Sequence, residues 1–165
     1  MEMENIFEHM TLLKKGFTVI IPVYNSSNSI KELNIRIINV CDKSNDEFEV
    51  IYVNDGSLDD TWQTICSFIS PDQRIRGINL SKNFGQHNAL LCGIREARYD
   101  TIITIDDDLQ NPPEEIPKLL HKLNEGFDLV SGWRFHRQDA TLQRKLPSKI
   151  ANRLIGRVTG IRLND

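Results

Sequence analysis

Three consecutive carboxylates, Asp106, Asp107 and Asp108, directly follow an apolar run that begins at Thr101. Side chains alternate between the two faces of an extended chain, so Asp106 and Asp108 are expected on one side and Asp107 on the other. Two carboxylates about 4 Å apart repel each other by roughly 1 to 4 kcal/mol at effective dielectric constants of about 80 to 20. A divalent cation offsets this repulsion, and the triplet therefore predicts a Mg2+ or Mn2+ site completed by substrate phosphates.

The triplet has two competing interpretations. An EF-hand calcium loop is excluded because Pro117 stands at the position where a bidentate glutamate is needed. A plain acidic turn remains open, although its place at the end of a buried strand favours a functional site. The sequence has no GxGxxG after the first predicted strand, no GxxxxGKS/T and no GxSxG, so the usual dinucleotide, P-loop and hydrolase motifs are not supported.

Strands and helices alternate in the predicted secondary structure. Apolar, β-branched runs predict strands, and apolar residues at helical spacing predict the helices between them. The resulting order, β-α-β-α-β-α-β-α-β, predicts an α/β domain with a mainly parallel sheet flanked by helices. The predicted strands are 17–24, 48–53, 74–80, 101–105 and 127–133, and the predicted helices begin near residues 29, 60, 88 and 112. A capping-box pattern from Ser29 to Glu32 marks the start of the first helix.

Four polar loops follow the first four predicted strands. They contain residues 24–25, 54–57, 82–87 and 106–110. In parallel α/β sheets, ligands bind beyond the carboxyl ends of the strands, at the point where the strand order reverses. The four loops are therefore expected to meet at one edge of the sheet and to form one ligand site.

The overall composition is that of one globular domain. The chain has 165 residues, of which 39% are hydrophobic and 26% are charged, and its net charge of -3 predicts no affinity for nucleic acid. No apolar run approaches the roughly 18 residues of a membrane span. The three cysteines, Cys41, Cys66 and Cys92, lack metal-binding spacing and are expected to be buried free thiols.

The charge is distributed unevenly, because residues 134–165 carry eight Lys or Arg and only two Asp. In this segment Leu146, Ile150, Leu154 and Val158 form an apolar stripe beside basic residues. A basic amphipathic helix can lie on an anionic bilayer, and an ordinary core-facing helix has the same pattern. The segment therefore predicts either a phosphate-bearing or membrane-surface partner, or a solvated helix face.

Taken together, the loop sequences resemble the ordered motifs of the family 2 inverting glycosyltransferases. The motifs are IPVYN at 21–25, VNDGS at 53–57, KNFG at 82–85 and DDDLQNPPE at 106–114. The resemblance covers residues 17–165 and is closest to dolichyl-phosphate mannose synthase and the bacterial polyprenyl-phosphate glycosyltransferases. It implies a GT-A fold, a UDP- or GDP-linked sugar donor and a Mg2+ or Mn2+ cofactor. One departure is Ser26, because relatives commonly carry Glu after the Tyr-Asn pair.

The resemblance also implies residue roles on the donor side. Asp106 and Asp108 would be the catalytic pair at the metal site, with Gln110 as a third ligand. Asp107 would either support the loop or bind the nucleotide sugar. The other residues implied to bind the nucleotide sugar are Pro22, Tyr24, Asn25, Asp55, Lys82 and Gly85. Asp55 would accept a hydrogen bond from the base, although an Asp at this place can also simply close an Asx turn.

The acceptor side of the resemblance falls in the basic segment. Arg134, Arg144 and Ser148 would hold a lipid phosphate, and the arginine fork matches phosphate geometry. Asp165 matches the position of a carboxylate proposed as the catalytic base in relatives. The acceptor site is thus expected to lie in the last part of the chain.

The expected organisation has three parts. They are a leader of unclear structure at 1–16, a nucleotide-sugar-binding domain at 17–133 and an incomplete acceptor-side segment at 134–165. In the resembled branch the chain continues into further sheet and often into membrane helices, so this sequence is expected to be an amino-terminal fragment. The resemblance implies a cytoplasmic location at the inner face of the cell membrane and a role in making the cell envelope. A homo-oligomer is left open.

Three functions fit these features. The first is transfer of a sugar to undecaprenyl or dolichyl phosphate, whose phosphate is largely ionised at neutral pH because its second pKa lies near ~6. Such an acceptor needs little help from a base. The second is transfer to a saccharide, whose hydroxyl would need a base. The third is a donor-binding fragment without turnover.

Overall fold

Residues 16–132 are the part of the chain that this computed structural model describes, and in them four strands alternate with four α-helices. The strands are β1 (Gly16–Val23), β2 (Glu47–Asn54), β3 (Ile75–Asn79) and β4 (Thr101–Thr104). The helices are α1 (Ile30–Cys41), α2 (Thr61–Ile69), α3 (Gln86–Glu96) and α4 (Ile116–Leu123), with a 3-10 turn at Pro113–Glu115 before α4. Predictions for residues 1–15 and 133–165 lie outside this part.

The four strands form one parallel sheet in the order β3-β2-β1-β4. β1 pairs with β2 along its whole length, from Gly16 opposite Glu47 to Val23 opposite Asn54. β4 pairs with β1 on its other side. The strand order therefore reverses at β1, and the crevice beyond the carboxyl ends of β1 and β4 is the place where such sheets bind ligands. The predicted parallel α/β architecture is confirmed.

β1 is apolar almost throughout because both faces of the sheet are covered. Phe17, Val19 and Ile21 belong to the larger core cluster, which includes side chains of α1 and α2. Ile20 points to the opposite face and packs in a smaller cluster with Ala89 of α3. Fully burying a large apolar side chain contributes about 1.5 to 3 kcal/mol. The sheet is consequently a firm base for the loops at its carboxyl edge.

A buried charge lies near the start of β2, where Glu49 is only 1% exposed. Its Oε1 accepts hydrogen bonds from Thr18 Oγ1 at 3.0 Å and from the Arg98 backbone N–H at 2.6 Å, and its Oε2 lies 3.3 Å from Arg76 Nη1. These contacts join β1, β2, β3 and the segment after α3. A glutamate in a strand predicts a solvent-facing side chain, so the sequence alone does not indicate this network.

Two predicted local features differ from the structure. Residues 127–132 form no strand, although the sequence predicts a fifth strand at 127–133. The apolar run there is interrupted by Asp128 and Gly132, and apolar pattern alone supplies no pairing partner. At the other mismatch, Ser29 is the N-cap of α1 but makes no side-chain cap hydrogen bond. Its hydroxyl instead donates to the Asp107 backbone carbonyl at 2.7 Å.

All three cysteines are free thiols, but their burial differs. Cys41 is buried, Cys92 is intermediate and Cys66 is exposed, so the expectation of a buried thiol is wrong for Cys66. Apolar neighbours in sequence do not tell which face of a helix a residue occupies. Burial raises the pKa of the Cys41 thiol to about 12. No helix within residues 16–132 combines the length and apolar character needed to cross a membrane.

Candidate functional site

A cleft of about 340 Å³ opens beyond the carboxyl ends of β1 and β4. It is lined by residues from all four of the polar loops identified in the sequence. The lining residues are Pro22 and Val23 of β1, together with Tyr24, Asp55, Asn83, Gln86, Asp106, Asp107 and Asp108 of those loops. The loops therefore meet at one edge of the sheet, as predicted from the strand order.

The acidic loop begins immediately after β4. The Ile105 backbone N–H still donates to the Ile20 carbonyl at 3.1 Å, which holds the start of the loop against β1. Asp106 follows, half-buried, and its two carboxylate oxygens accept hydrogen bonds from different amides. Gln86 Nε2 donates to Oδ1 at 2.8 Å, and Asn111 Nδ2 donates to Oδ2 at 3.0 Å. The Asp106 carboxylate is thus oriented from two sides.

Asp108 is more open than Asp106. Its side chain is exposed at the cleft, and its Oδ1 accepts a hydrogen bond from the Gln110 backbone N–H at 3.0 Å. Leu109 between them has φ +61°, in the left-handed region, so the chain turns sharply there. Gln110 is exposed and is not among the residues that line the cleft. Its role as a third metal ligand stays a prediction.

Asp107 points toward the loop after β1, on which it makes several contacts. Its Oδ2 accepts hydrogen bonds from the Tyr24 backbone N–H at 3.1 Å and from Ser26 Oγ. Its backbone carbonyl accepts the bond from Ser29 Oγ. β4 ends at Thr104 and Asp107 lies in a turn, so its contacts follow from the fold of the loop and not from the alternation of an extended strand. Asp107 supports the loop, and it also lines the cleft.

Asn25 joins two loops rather than lining the cleft. It adopts φ +54°, a left-handed conformation that asparagine tolerates better than most residues. Its backbone N–H donates to Ser57 Oγ at 2.9 Å, and its Oδ1 accepts from the Leu58 backbone N–H at 2.8 Å. The loop after β1 is therefore fixed to the loop after β2.

The carboxylate of Asp59 also joins the loop after β1 to the loop after β2. Asp59 accepts hydrogen bonds from the Ser27 backbone N–H at 3.2 Å and from the Thr61 backbone N–H at 3.0 Å. Partial burial raises the pKa of Asp59, but the bonds from Thr61 and Ser27 outweigh it and lower that pKa to about 2. Asp59 is consequently ionised through the neutral range and holds the turn that leads into α2.

Asp55 organises the opposite wall of the cleft. It follows β2, is 3% exposed, and lines the cleft. Its Oδ1 accepts from the Phe84 backbone N–H at 2.7 Å, and its Oδ2 accepts from the Gly85 backbone N–H at 2.8 Å. One carboxylate thus fixes two consecutive amides of the loop that precedes α3. Lys82 in that loop is exposed and lies 5.2 Å from the Phe84 ring centroid.

Two glycines allow this loop geometry. Gly85 adopts φ +91°, and no atom lies within 4 Å of the position a Cβ would take, so its requirement is conformational. Gly56 adopts φ +68°, and a Cβ there would lie 2.4 Å from the Lys82 carbonyl carbon. The loops after β2 and β3 can approach this closely only because residue 56 lacks a side chain.

An ion pair outside the cleft holds the segment that follows the acidic loop against α1. Arg36 of α1 donates from Nε to Glu114 Oε1 at 2.9 Å and from Nη2 to Oε2 at 2.7 Å. The Arg36 hydrogen bonds hold the pKa of Glu114 below its usual range. The pair connects α1 to the 3-10 turn that follows the carboxylate triplet. Sequence reasoning missed it because the two residues are far apart along the chain.

The atoms in the cleft that could bind a metal ion are carboxylate oxygens. Within residues 16–132, no group of three or more His, Cys, Asp or Glu side chains is placed to hold a metal ion. Asp106 and Asp108 both line the cleft, and two carboxylates with open positions for phosphate oxygens suit Mg2+ or Mn2+. The residues present therefore fit such an ion when a phosphate-bearing ligand completes its shell.

The structure brings together most of the residues predicted on the donor side. Pro22, Tyr24, Asp55, Asp106, Asp107 and Asp108 line the cleft. Asn25, Lys82, Gly85 and Gln110 belong to the same loops but not to the lining. Arg134, Arg144, Ser148 and Asp165, predicted on the acceptor side, lie outside the described residues.

The fold and the cleft define a class of protein, an α/β domain with an acidic ligand site at the point where a parallel sheet reverses its strand order. The sequence profile of Glycosyl transferase family 2 matches residues 18–164. The chain belongs to glycosyl transferase family 2.

A curated relative comes from Shewanella sediminis (strain HAW-EB3). It is the undecaprenyl-phosphate 4-deoxy-4-formamido-L-arabinose transferase of that organism, and it is 45% identical over 149 residues. The match covers 90% of this chain and 45% of the relative, so the chain spans less than half the length of that protein.

Two solved structures resemble the fold. TarS of S. aureus, residues 1–349 in complex with UDP-GlcNAc, has a TM-score of 0.54 at 28% identity, over 67% of this chain and 31% of that chain. The mannosyltransferase PcManGT from Pyrobaculum calidifontis, in complex with GDP-Man and Mn2+, has a TM-score of 0.54 at 24% identity, over 63% of this chain and 30% of that chain. At that identity the second likeness concerns the fold alone. The predicted GT-A fold is confirmed.

Proposed function

We propose that this chain is an inverting glycosyltransferase that moves a sugar from a nucleoside diphosphate to a polyprenyl phosphate. The observation that carries the proposal is the meeting of Asp55, Asp106 and Asp108 in one cleft at the switch point of the sheet. The 45% identity to an undecaprenyl-phosphate sugar transferase supports the acceptor class.

The diphosphate of the donor belongs at the acidic end of the cleft in this proposal. Asp106 and Asp108 would hold a Mg2+ or Mn2+ ion, which neutralises charge that develops on the departing diphosphate. Asp107 keeps the loop in place through Tyr24 and Ser26. Pro22 and Tyr24 would border the nucleoside, toward Asp55.

Asp55 is the residue that would accept a hydrogen bond from the base. Each of its oxygens accepts one backbone N–H, from Phe84 and from Gly85, and each keeps a second lone pair, so the single ring N–H of uracil and the two adjacent N–H donors of guanine both fit. The structure that binds UDP-GlcNAc is 28% identical to this chain, and on that likeness we propose a UDP-linked sugar.

The acceptor phosphate would approach the anomeric carbon from the side opposite the diphosphate, and the configuration would invert. Because a phosphate monoester is largely ionised at neutral pH, with a second pKa of about 6, the transfer needs no general base. In this scheme Arg134, Arg144 and Ser148 would hold the lipid phosphate, and Asp165 would not be needed to remove a proton. The reaction would take place at the inner face of the cell membrane, where a basic segment can contact anionic lipid.

The test is transfer of a labelled sugar from UDP- and GDP-linked donors by the whole 165-residue chain. Undecaprenyl phosphate in detergent and soluble saccharides are offered as acceptors, with Mn2+. The proposal predicts a lipid-linked product from a UDP-linked donor, and D106N as the inactive control. A product on a saccharide alone would overturn the acceptor assignment. Nucleotide binding without a product on any acceptor would reduce the chain to a donor-binding unit.

A further inference from the structure

Gln86 contacts the carboxylate of Asp106 in the cleft, although none of the sequence motifs assigns Gln86 a role. It is the first residue of α3 and lines the cleft. Its Nε2 donates a hydrogen bond to Asp106 Oδ1 at 2.8 Å. Asn111 Nδ2 holds the other oxygen of the same carboxylate at 3.0 Å.

The backbone of Gln86 is fixed by the wall that carries Asp55. The preceding residue, Gly85, donates its N–H to Asp55 Oδ2 at 2.8 Å and accepts hydrogen bonds from Asn88 and Ala89 at its carbonyl. Asp55 is buried, so this anchor is firm. Gln86 therefore links the carboxylate on one side of the cleft to the carboxylate on the other.

We infer that Gln86 is a positioning residue for the carboxylate of Asp106. This inference rests on the proposed function, in which Asp106 would bind the cation. A neutral amide suits this place for an electrostatic reason. It donates one hydrogen bond that fixes the carboxylate, and it adds no charge beside the atoms that would bind a cation. A carboxylate at position 86 would repel Asp106, and a cationic side chain would compete with the metal ion.

The stability of the Q86E variant distinguishes the contact of residue 86 with Asp106 from a general effect of the substitution on α3. Residue 86 begins α3, and a carboxylate in the first turn of a helix is normally stabilising. If Gln86 contacts Asp106, the new charge faces a carboxylate and the effect changes sign. His87 provides the matched control, because it is the next residue of α3, is exposed and does not line the cleft.

The first experiment measures thermal stability of the whole chain without metal. Q86E is expected to lower the melting temperature by about 2 to 4 °C. The double variant Q86E/D106N exchanges donor and acceptor and is expected to recover most of the loss. H87E compared with H87Q gives the effect of the same change away from Asp106, and it is expected to be neutral or stabilising. If Q86E changes the melting temperature from the wild type by no more than H87E differs from H87Q, the inference is overturned.

The second experiment measures UDP binding at increasing Mn2+ by calorimetry. Q86A is expected to raise the Mn2+ concentration needed for half-maximal binding about tenfold, because partners that orient a metal ligand typically contribute this much. H87A is expected to match the wild type. Equal Mn2+ requirements for Q86A and H87A would contradict the inference. If the wild type binds no UDP with Mn2+, the proposed function fails, and the stability comparison still decides whether Gln86 contacts Asp106.

Discussion

Ser26 Oγ donates a hydrogen bond to Asp107 Oδ2, and this joins the loop after β1 to the loop after β4. The two residues match each other. The family resemblance leads one to expect Glu at position 26, and a carboxylate there would face Asp107 and repel it. A serine allows the middle carboxylate of the triplet to act as an acceptor for the neighbouring loop.

We expect the hydrogen-bond acceptor at position 107 to matter more for stability than its negative charge. D107A removes the acceptor for Ser26 and for the Tyr24 backbone N–H, and it should lower the free energy of unfolding by about 1 to 3 kcal/mol. D107N keeps an acceptor oxygen and should lose less than half as much. Urea denaturation of both variants and of S26A checks this. Equal losses for D107A and D107N would mean that charge dominates.

Gly56 should tolerate no side chain. In G56A the new Cβ would lie 2.4 Å from the Lys82 carbonyl carbon, at φ +68°. We expect a loss of about 2 to 4 kcal/mol in unfolding free energy, from strain and from overpacking. G126A is the control, because Gly126 also has a positive φ, of +102°, but no atom lies within 4 Å of the position that its Cβ would take. A G56A protein no less stable than G126A would show that the two loops can move apart at little cost.

The buried Glu49 should be a strong determinant of stability. E49A removes the acceptor of the Thr18 hydroxyl and of the Arg98 backbone N–H, and each donor left unsatisfied costs about 1 to 3 kcal/mol. We therefore expect a loss of about 2 to 5 kcal/mol, although Arg76 keeps Glu96 as a partner. E96A removes an exposed partner of the same Arg76, at 3.2 Å, and should cost less than about 1 kcal/mol. Chemical denaturation of both variants is the measurement. Similar losses for the two would contradict the importance of burial here.

Asp59 should make stability depend on acidic pH. Its pKa in the folded protein is about 2, lowered from 3.8, so the stabilisation is present above the unfolded value and is lost as the pH falls through the folded value. The difference in melting temperature between wild type and D59N should therefore be largest above about pH 4 and should shrink toward about pH 2. D100N, which changes an exposed carboxylate, is the control. A difference that does not vary with pH would refute the assignment.

The sequence predicted the placement of the carboxylates better than their contacts. The order of strands and helices located the cleft at the carboxyl edge of the sheet, and Asp106, Asp107 and Asp108 all line it. Strand alternation did not predict the side on which each carboxylate lies, because β4 ends at Thr104 and Asp107 and Asp108 lie in a turn. The bonds from Gln86 to Asp106 and from Ser26 to Asp107 join residues distant in sequence, and no local pattern encodes such pairs.

Three predictions drawn from local sequence patterns differ from the structure. A capping box at Ser29 is a sound local pattern, but the Asp107 carbonyl offered its hydroxyl a different acceptor. The predicted strand at 127–133 had a suitable composition, yet residues 127–132 form none. Burial of Cys66 depended on which face of α2 it occupied. For Ser29 the tertiary surroundings, rather than local propensity, decided the outcome.

The cleft is proposed to be a metal-dependent site for a nucleoside diphosphate. The most direct measurement is calorimetric titration of UDP into the whole chain, with Mn2+ and with a chelator, for wild type, D106N and D108N. We expect binding by the wild type to weaken at least about tenfold on chelation, and binding by both variants no longer to respond to Mn2+. Equal affinity with and without Mn2+, or variants that respond like the wild type, would contradict it.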